Sequence, residues 1–140
     1  FFFFKDNSDS GQFAAIQKAS IKALENYSEI TPYICEKYQR RLESMTNTLK
    51  SIGFPAEIPG GSFYLYVKAP KATKEGVAFE TAEDFSQWLI KEKLISSVPW
   101  DDAGHYVRFG ATFVALEGKE EEERVLKEFS DRLSDASFVF

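Results

Sequence analysis

Apolar residues recur at helical spacing early in the chain and at strand spacing later. Phe13, Ile16, Ala19 and Ala23 stand three and four positions apart, which predicts an amphipathic helix from about Gly11 to Asn26. Ile34, Tyr38, Leu42, Met45, Leu49 and Ile52 form a second, longer stripe, with Glu36, Lys37, Gln39, Arg40, Glu43 and Lys50 on the outer face. Thr31 is expected to cap that helix, Pro32 to take its first position, and Gly53 to end it. After Gly53 the period falls to two. From Ser62 to Lys68, Phe63, Leu65 and Val67 alternate with Tyr64, Tyr66 and Lys68, a half-buried strand entered through the Pro59-Gly60-Gly61 turn.

Thr81 with Asp84 has the form of a capping box opening a helix to about Lys93, with Phe85, Trp88 and Leu89 inward. Ile95 to Val98 reads as a short strand closed by Pro99, and Tyr106 to Phe113 as another strand. A last helix is expected over Glu117 to Leu133. The acids from Glu120 to Glu123 make a solvated first turn, and Lys127 and Arg132 follow later, as the helix dipole prefers. The predicted order is helix, helix, strand, helix, strand, strand, helix. It describes one α+β domain, a layer sandwich in which helices flank a small sheet of mixed or antiparallel pairing.

Composition narrows the function. At 140 residues the chain is one domain's worth, and 44% hydrophobic with 28% charged residues is globular rather than disordered. A net charge of −5 argues against a nucleic-acid or anionic-membrane surface, which needs clustered cations. No apolar run approaches the roughly 20 residues that span a bilayer. The single cysteine, Cys35, excludes an internal disulfide and a cysteine-based metal cage, and its helix offers it no acidic or histidine partner, as in a structural thiol. Phe1 to Phe4 and Phe138-Val139-Phe140 put aromatic residues at both ends, where packing on a second copy or on further chain is expected.

Arg108 is the leading candidate for chemistry. Val107, Phe109, Ala111 and Phe113 make the core side of its strand. Tyr106, Arg108, Gly110 and Thr112 make the other side, where the glycine leaves room for a ligand in front of the guanidinium. A guanidinium matches a carboxylate with two parallel hydrogen bonds, which lysine cannot reproduce. An internal ion pair with one of the 22 acids is the alternative. Asp9-Ser10-Gly11-Gln12 precedes a helix and is either an anion or partner contact or a plain polar cap. Gly60-Gly61 lacks the spacing of a phosphate loop and reads as a turn. His105, the only histidine, lacks a nucleophile motif and is expected on a surface loop. Asp101-Asp102 is either an acid–base or cation pair or two solvated carboxylates. The residues by themselves yield one carboxylate reader and no nucleophile, general base or metal set.

Four motifs in order, Asn7-Ser8-Asp9-Ser10-Gly11-Gln12-Phe13, Pro59-Gly60-Gly61-Ser62-Phe63-Tyr64-Leu65-Tyr66-Val67, Val98-Pro99-Trp100-Asp101-Asp102-Ala103-Gly104 and Tyr106-Val107-Arg108-Phe109, resemble the class I/II aminotransferases. Asp-Ser-Gly-Gln-Phe and the Trp-Asp-Asp loop resemble most the LL-diaminopimelate aminotransferases of that family. The likeness covers nearly the whole chain but only about the last third of a family member. It implies the small C-terminal domain of a fold-type I, pyridoxal-phosphate-dependent transferase, working as a cytoplasmic homodimer against the large domain of the same chain, with no nucleic acid, membrane or metal. It implies that Arg108 grips the α-carboxylate of an amino acid or 2-oxo acid. It places Asn7, Asp9, Ser10, Gly11 and Gln12 near a subunit interface, and Phe63 and Trp100 near the substrate. The family's Schiff-base lysine belongs to a Ser-x-x-Lys motif that nothing here matches, and the cofactor's other anchors also lie upstream, so the isolated chain is expected to be inactive. The usual small-residue and Phe-Gly loop is replaced here by Trp100-Asp101-Asp102. A non-catalytic domain that binds a small carboxylate or a protein partner is the alternative, and a bare dimerisation piece a third reading.

Overall fold

The computed structural model describes residues 13–116 and 118–140. Two compact units divide the chain, Phe1–Lys37 and Tyr38–Phe140. The first contains helix α1 (Ala14–Glu25) and the opening turns of helix α2 (Tyr27–Ser51). None of the α1 residues is buried, and Ile16, Ile21 and Leu24 are exposed.

Helix α2 starts four residues before Thr31, so Thr31 is not its cap and Pro32 lies inside it. Asn26 explains the difference. Its side-chain amide donates to the carbonyl of Lys22 at 2.7 Å, closing α1, while its own carbonyl accepts from the N–H groups of Glu29 and Ile30, opening α2. One residue serves both helix ends, and the chain never leaves helical geometry for long enough to use Thr31. Pro32 then only forgoes one bond near the start of the helix. The stop is as expected. Gly53 takes φ +92°, its N–H donates to Lys50 and that of Phe54 to Leu49, a left-handed glycine close that only a residue without Cβ adopts freely.

In the second unit, strands β1 (Tyr64–Lys68), β3 (Val98–Trp100) and β4 (Tyr106–Gly110) form an antiparallel sheet in the order β1–β4–β3. Leu65 and Val67 face the core with Val107 and Phe109, and the helices supply Leu42, Met45 and Leu49 from α2, Phe85 and Leu89 from α3 (Ala82–Lys93), and Leu126 and Leu133 from α4 (Lys119–Leu133). The fold is α+β, as the periodicity implies, with a sheet that is wholly antiparallel. The strand expected at Ile95 to Val98 is displaced to Val98–Trp100 and contains Pro99. Because β3 is an edge strand, a proline there is tolerated. Strand β4 ends at Gly110 rather than at Phe113.

A second sheet, β2 (Ala72–Thr73) with β5 (Phe138–Val139), is too short to read from alternation. It carries the carboxyl-terminal aromatics onto the domain's own core. The Phe138 and Phe140 rings lie 4.9 and 5.2 Å from that of Phe54, and Phe138 also meets Phe85 and Trp88. Phe138 and Phe140 thus pack within the unit, while Val139 stays exposed; Phe1 to Phe4 lie outside the described residues. No described helix is long and apolar enough to cross a membrane.

Candidate functional site

One face of the three-stranded sheet is core; the opposite face gathers the candidate residues. Register puts Tyr66, Arg108 and Val98 side by side across β1, β4 and β3, with Lys68, Tyr106 and Trp100 as the next row and Tyr64 opposite Gly110. Arg108 is at the centre. Its guanidinium carbon lies 4.1 Å from the centroid of the Tyr64 ring and 5.3 Å from that of Trp100. Tyr66 and Tyr106 stack beside it at 4.7 Å and 13°.

No carboxylate among the described residues pairs with this guanidinium, and its Nε is buried with no hydrogen-bond partner. A buried donor left unpaired costs roughly 1–3 kcal/mol, more when charged. Among the described residues the guanidinium is thus flanked by rings rather than by an acid. The internal ion pair considered for Arg108 belongs instead to Arg41. Arg41 is 3% exposed and its Nε donates to Glu122 Oε1 at 2.7 Å, while Arg40 grips the same carboxylate at 2.9 and 3.1 Å. Arg41 also donates to the Ala111 and Phe113 carbonyls just past β4, and lies 4.5 Å from the Phe113 ring. Glu122 is thus buried, not part of a solvated turn, and its carboxyl is held below its ordinary value of 4.5, first by the hydrogen bond from Arg40 and further by Arg41. The signal in the sequence is positional: Arg41 falls on the α2 stripe, three residues after Tyr38 and four before Met45.

The gap expected in front of Gly110 is filled. A Cβ there would lie 3.3 Å from Thr112 Oγ1 and 3.6 Å from Tyr64 Cε1, so the glycine makes room for the tyrosine ring, not for a ligand. The Trp100 ring stands beside Arg108. The Phe63 ring is one step removed, packed on Tyr64 at 4.4 Å and Tyr38 at 5.8 Å. Asn7, Asp9, Ser10, Gly11 and Gln12 lie outside the described residues.

Asp101 and Asp102 are both exposed, as solvated carboxylates are, and the Asp101 carboxylate is also bonded to backbone. Oδ1 accepts from the Ala82 N–H at 2.7 Å and Oδ2 from the Glu83 N–H at 3.1 Å. Thr81 and Asp84 form the predicted capping box, which keeps the Asp84 carboxyl below its usual range, chiefly through the Thr81 hydroxyl. The N–H groups of residues 81 to 84 are thereby all used. The His105 ring is half-buried, its Nε2 3.0 Å from the Pro70 carbonyl. Cys35 is exposed. Among the described residues no cluster of His, Cys, Asp or Glu could hold a metal ion.

No family model matches the chain. The LL-diaminopimelate aminotransferase of Methanococcus maripaludis is 56% identical over 140 residues, covering 97% of this chain and 33% of its own. That of Methanocaldococcus jannaschii is 53% identical over 143 residues, with 97% and 34% covered. Its relatives are aminotransferases. The fold agrees: substrate-bound BacF from Bacillus subtilis superposes with a TM-score of 0.79 at 25% identity over 98% of this chain and 33% of its own. The aspartate aminotransferase of Rhizobium meliloti, 22% identical, shares the fold with a TM-score of 0.75, over 96% of this chain and 34% of its own. The chain spans about a third of the length of these proteins and corresponds, in sequence and fold, to one portion of an aminotransferase.

Proposed function

We propose that these residues are the small C-terminal domain of a pyridoxal-phosphate aminotransferase, and that Arg108 binds the α-carboxylate of its amino-acid and 2-oxo-acid substrates. The unpaired guanidinium on an aromatic sheet face carries the reading. Its guanidinium is a planar donor fork whose rotation the flanking rings limit, so an arriving carboxylate is bound and oriented together. The relatives' shared name makes LL-diaminopimelate the first substrate to test.

Arg108 suits the substrate's acid group, and the start of α3 offers the cofactor's phosphate no anchor. The N-terminal N–H groups of α3, the kind of anchor a phosphate takes, are all occupied by Asp101, Thr81 and Asp84. In this reading the remainder of the parent holds pyridoxal phosphate and its lysine, and supplies the electron sink that amino-group transfer needs. The isolated chain is inert, and the parent is a cytoplasmic homodimer in which Asn7 to Gln12 approach the neighbouring site.

Kinetics of the full-length parent test it. Arg108→Ala should lower kcat/KM for amino acids by about 2–5 kcal/mol, the cost of removing one partner of a desolvated charge pair. Unchanged kinetics would remove Arg108 from the site. The 140-residue chain mixed with pyridoxal phosphate should develop no specific, saturable visible absorption band beyond that of exposed lysines.

A further inference from the structure

The carboxylate of Asp101 reaches from the end of β3 to the start of α3, and the residue immediately before it is Trp100, whose ring flanks Arg108. We propose that Asp101 is a positioning residue for Arg108, acting through Trp100: by tying the β3–β4 turn to the N-terminus of α3 it fixes the indole that orients the guanidinium. The inference rests on the reading that Arg108 grips the substrate carboxylate.

Three observations carry it. Arg108 has no acid to hold it among the described residues, so its direction depends on the rings around it, and of the two edge strands that supply them the one bearing Trp100 is the shorter, three residues against five. Such a strand needs an external anchor, and two charge-assisted bonds to backbone N–H groups supply one. The turn itself is tight. The Gly104 N–H donates to the Asp101 carbonyl at 3.1 Å, and Gly104, at φ +115°, has Tyr106 Cε2 3.0 Å from where a Cβ would stand. Movement of Asp101 is therefore passed to both its neighbours on the sheet face, Trp100 and Tyr106. Asp101 is not needed to complete the capping box, which Thr81 and Asp84 close between themselves. Its distinctive contribution is the link between helix and sheet.

The test uses the full-length enzyme with three single variants, a double variant and a control. Asp101→Ala should raise KM for the amino acid by roughly threefold to thirtyfold, the range of a cation–π contact, with kcat within about twofold. Trp100→Leu, which leaves both cap bonds in place, should give a similar rise, and the double variant should be no worse than Trp100→Leu, because the two act in series. Thr81→Ala loosens the same helix terminus without touching the turn; it should lower Tm and leave KM unchanged. Equal KM effects from Thr81→Ala and Asp101→Ala, or additive effects of Asp101→Ala and Trp100→Leu, would overturn the proposal. So would an unchanged KM in Trp100→Leu, which also decides the matter should Asp101→Ala fail to fold. Arg108→Ala separates the two levels. If it raises KM while Asp101→Ala and Trp100→Leu do not, this inference alone fails; if it leaves KM unchanged, the functional reading fails and the inference with it.

Discussion

Arg108 and Tyr64 face each other diagonally across the β1–β4 pair, 4.1 Å from guanidinium carbon to ring centroid, because Tyr64 pairs with Gly110 and leans over it. The tyrosine gains its place from a missing side chain on the neighbouring strand. It offers the cation a π-face, which stabilises charge without neutralising it. An arginine seated this way has no acid on its Nε, unlike Arg41, whose Nε donates to Glu122.

The ring, not the hydroxyl, is what Arg108 uses. Tyr64→Phe in the full-length protein should leave KM for amino acids near that of the parent. Tyr64→Leu should weaken binding by about 0.5–2 kcal/mol, read as a rise in KM.

Charge alone will not replace the guanidinium. Arg108→Lys keeps one positive charge but loses the fork and the planar stacking on Tyr64 and Trp100. Its KM should stay closer to that of Arg108→Ala than to that of the parent. Full rescue by lysine would show that a point charge suffices.

The Arg40–Glu122–Arg41 group makes stability depend on acid. Glu122 is held below its ordinary value of 4.5 in the folded chain, so its contribution is complete above that value and is lost as pH falls through the lower folded value. Glu122→Gln leaves Arg41 buried without its counter-charge and should cost about 3–5 kcal/mol at neutral pH. Denaturant midpoints measured from pH 7 down to 3 should therefore fall less steeply for the variant than for the parent.

The aromatic cluster around Phe54 joins chain segments far apart in sequence. Phe85 is fully buried, and Phe85→Ala should destabilise by about 3–5 kcal/mol. Phe138→Ala, at a half-buried position, should cost less. Both are checked by denaturant unfolding followed by tryptophan fluorescence, since Trp88 lies in the same cluster.

Local rules were readable wherever one segment decided the outcome. The α2 stripe, the Gly53 stop, the Thr81–Asp84 box and the two faces of the Arg108 strand follow from spacing and capping chemistry within a few residues. The errors fall where a second part of the chain, near or distant, takes over the role. Thr31 is a good cap on its own, but Asn26 ends one helix and starts the next before Thr31 is reached. Pro99 closes a strand by propensity, yet it lies within one at the sheet edge. Glu122 reads as a solvated acid until α2 brings two arginines to it.

The sequence by itself determined the fold class, the helix stripes and the residue type able to read a carboxylate, because periodicity and side-chain chemistry are properties of a segment. Only the tertiary structure decided which arginine stays free. Arg41 and Arg108 carry the same group, but Glu122 comes to one and aromatic rings to the other, and that allocation depends on which surfaces the packed helices and sheet bring together.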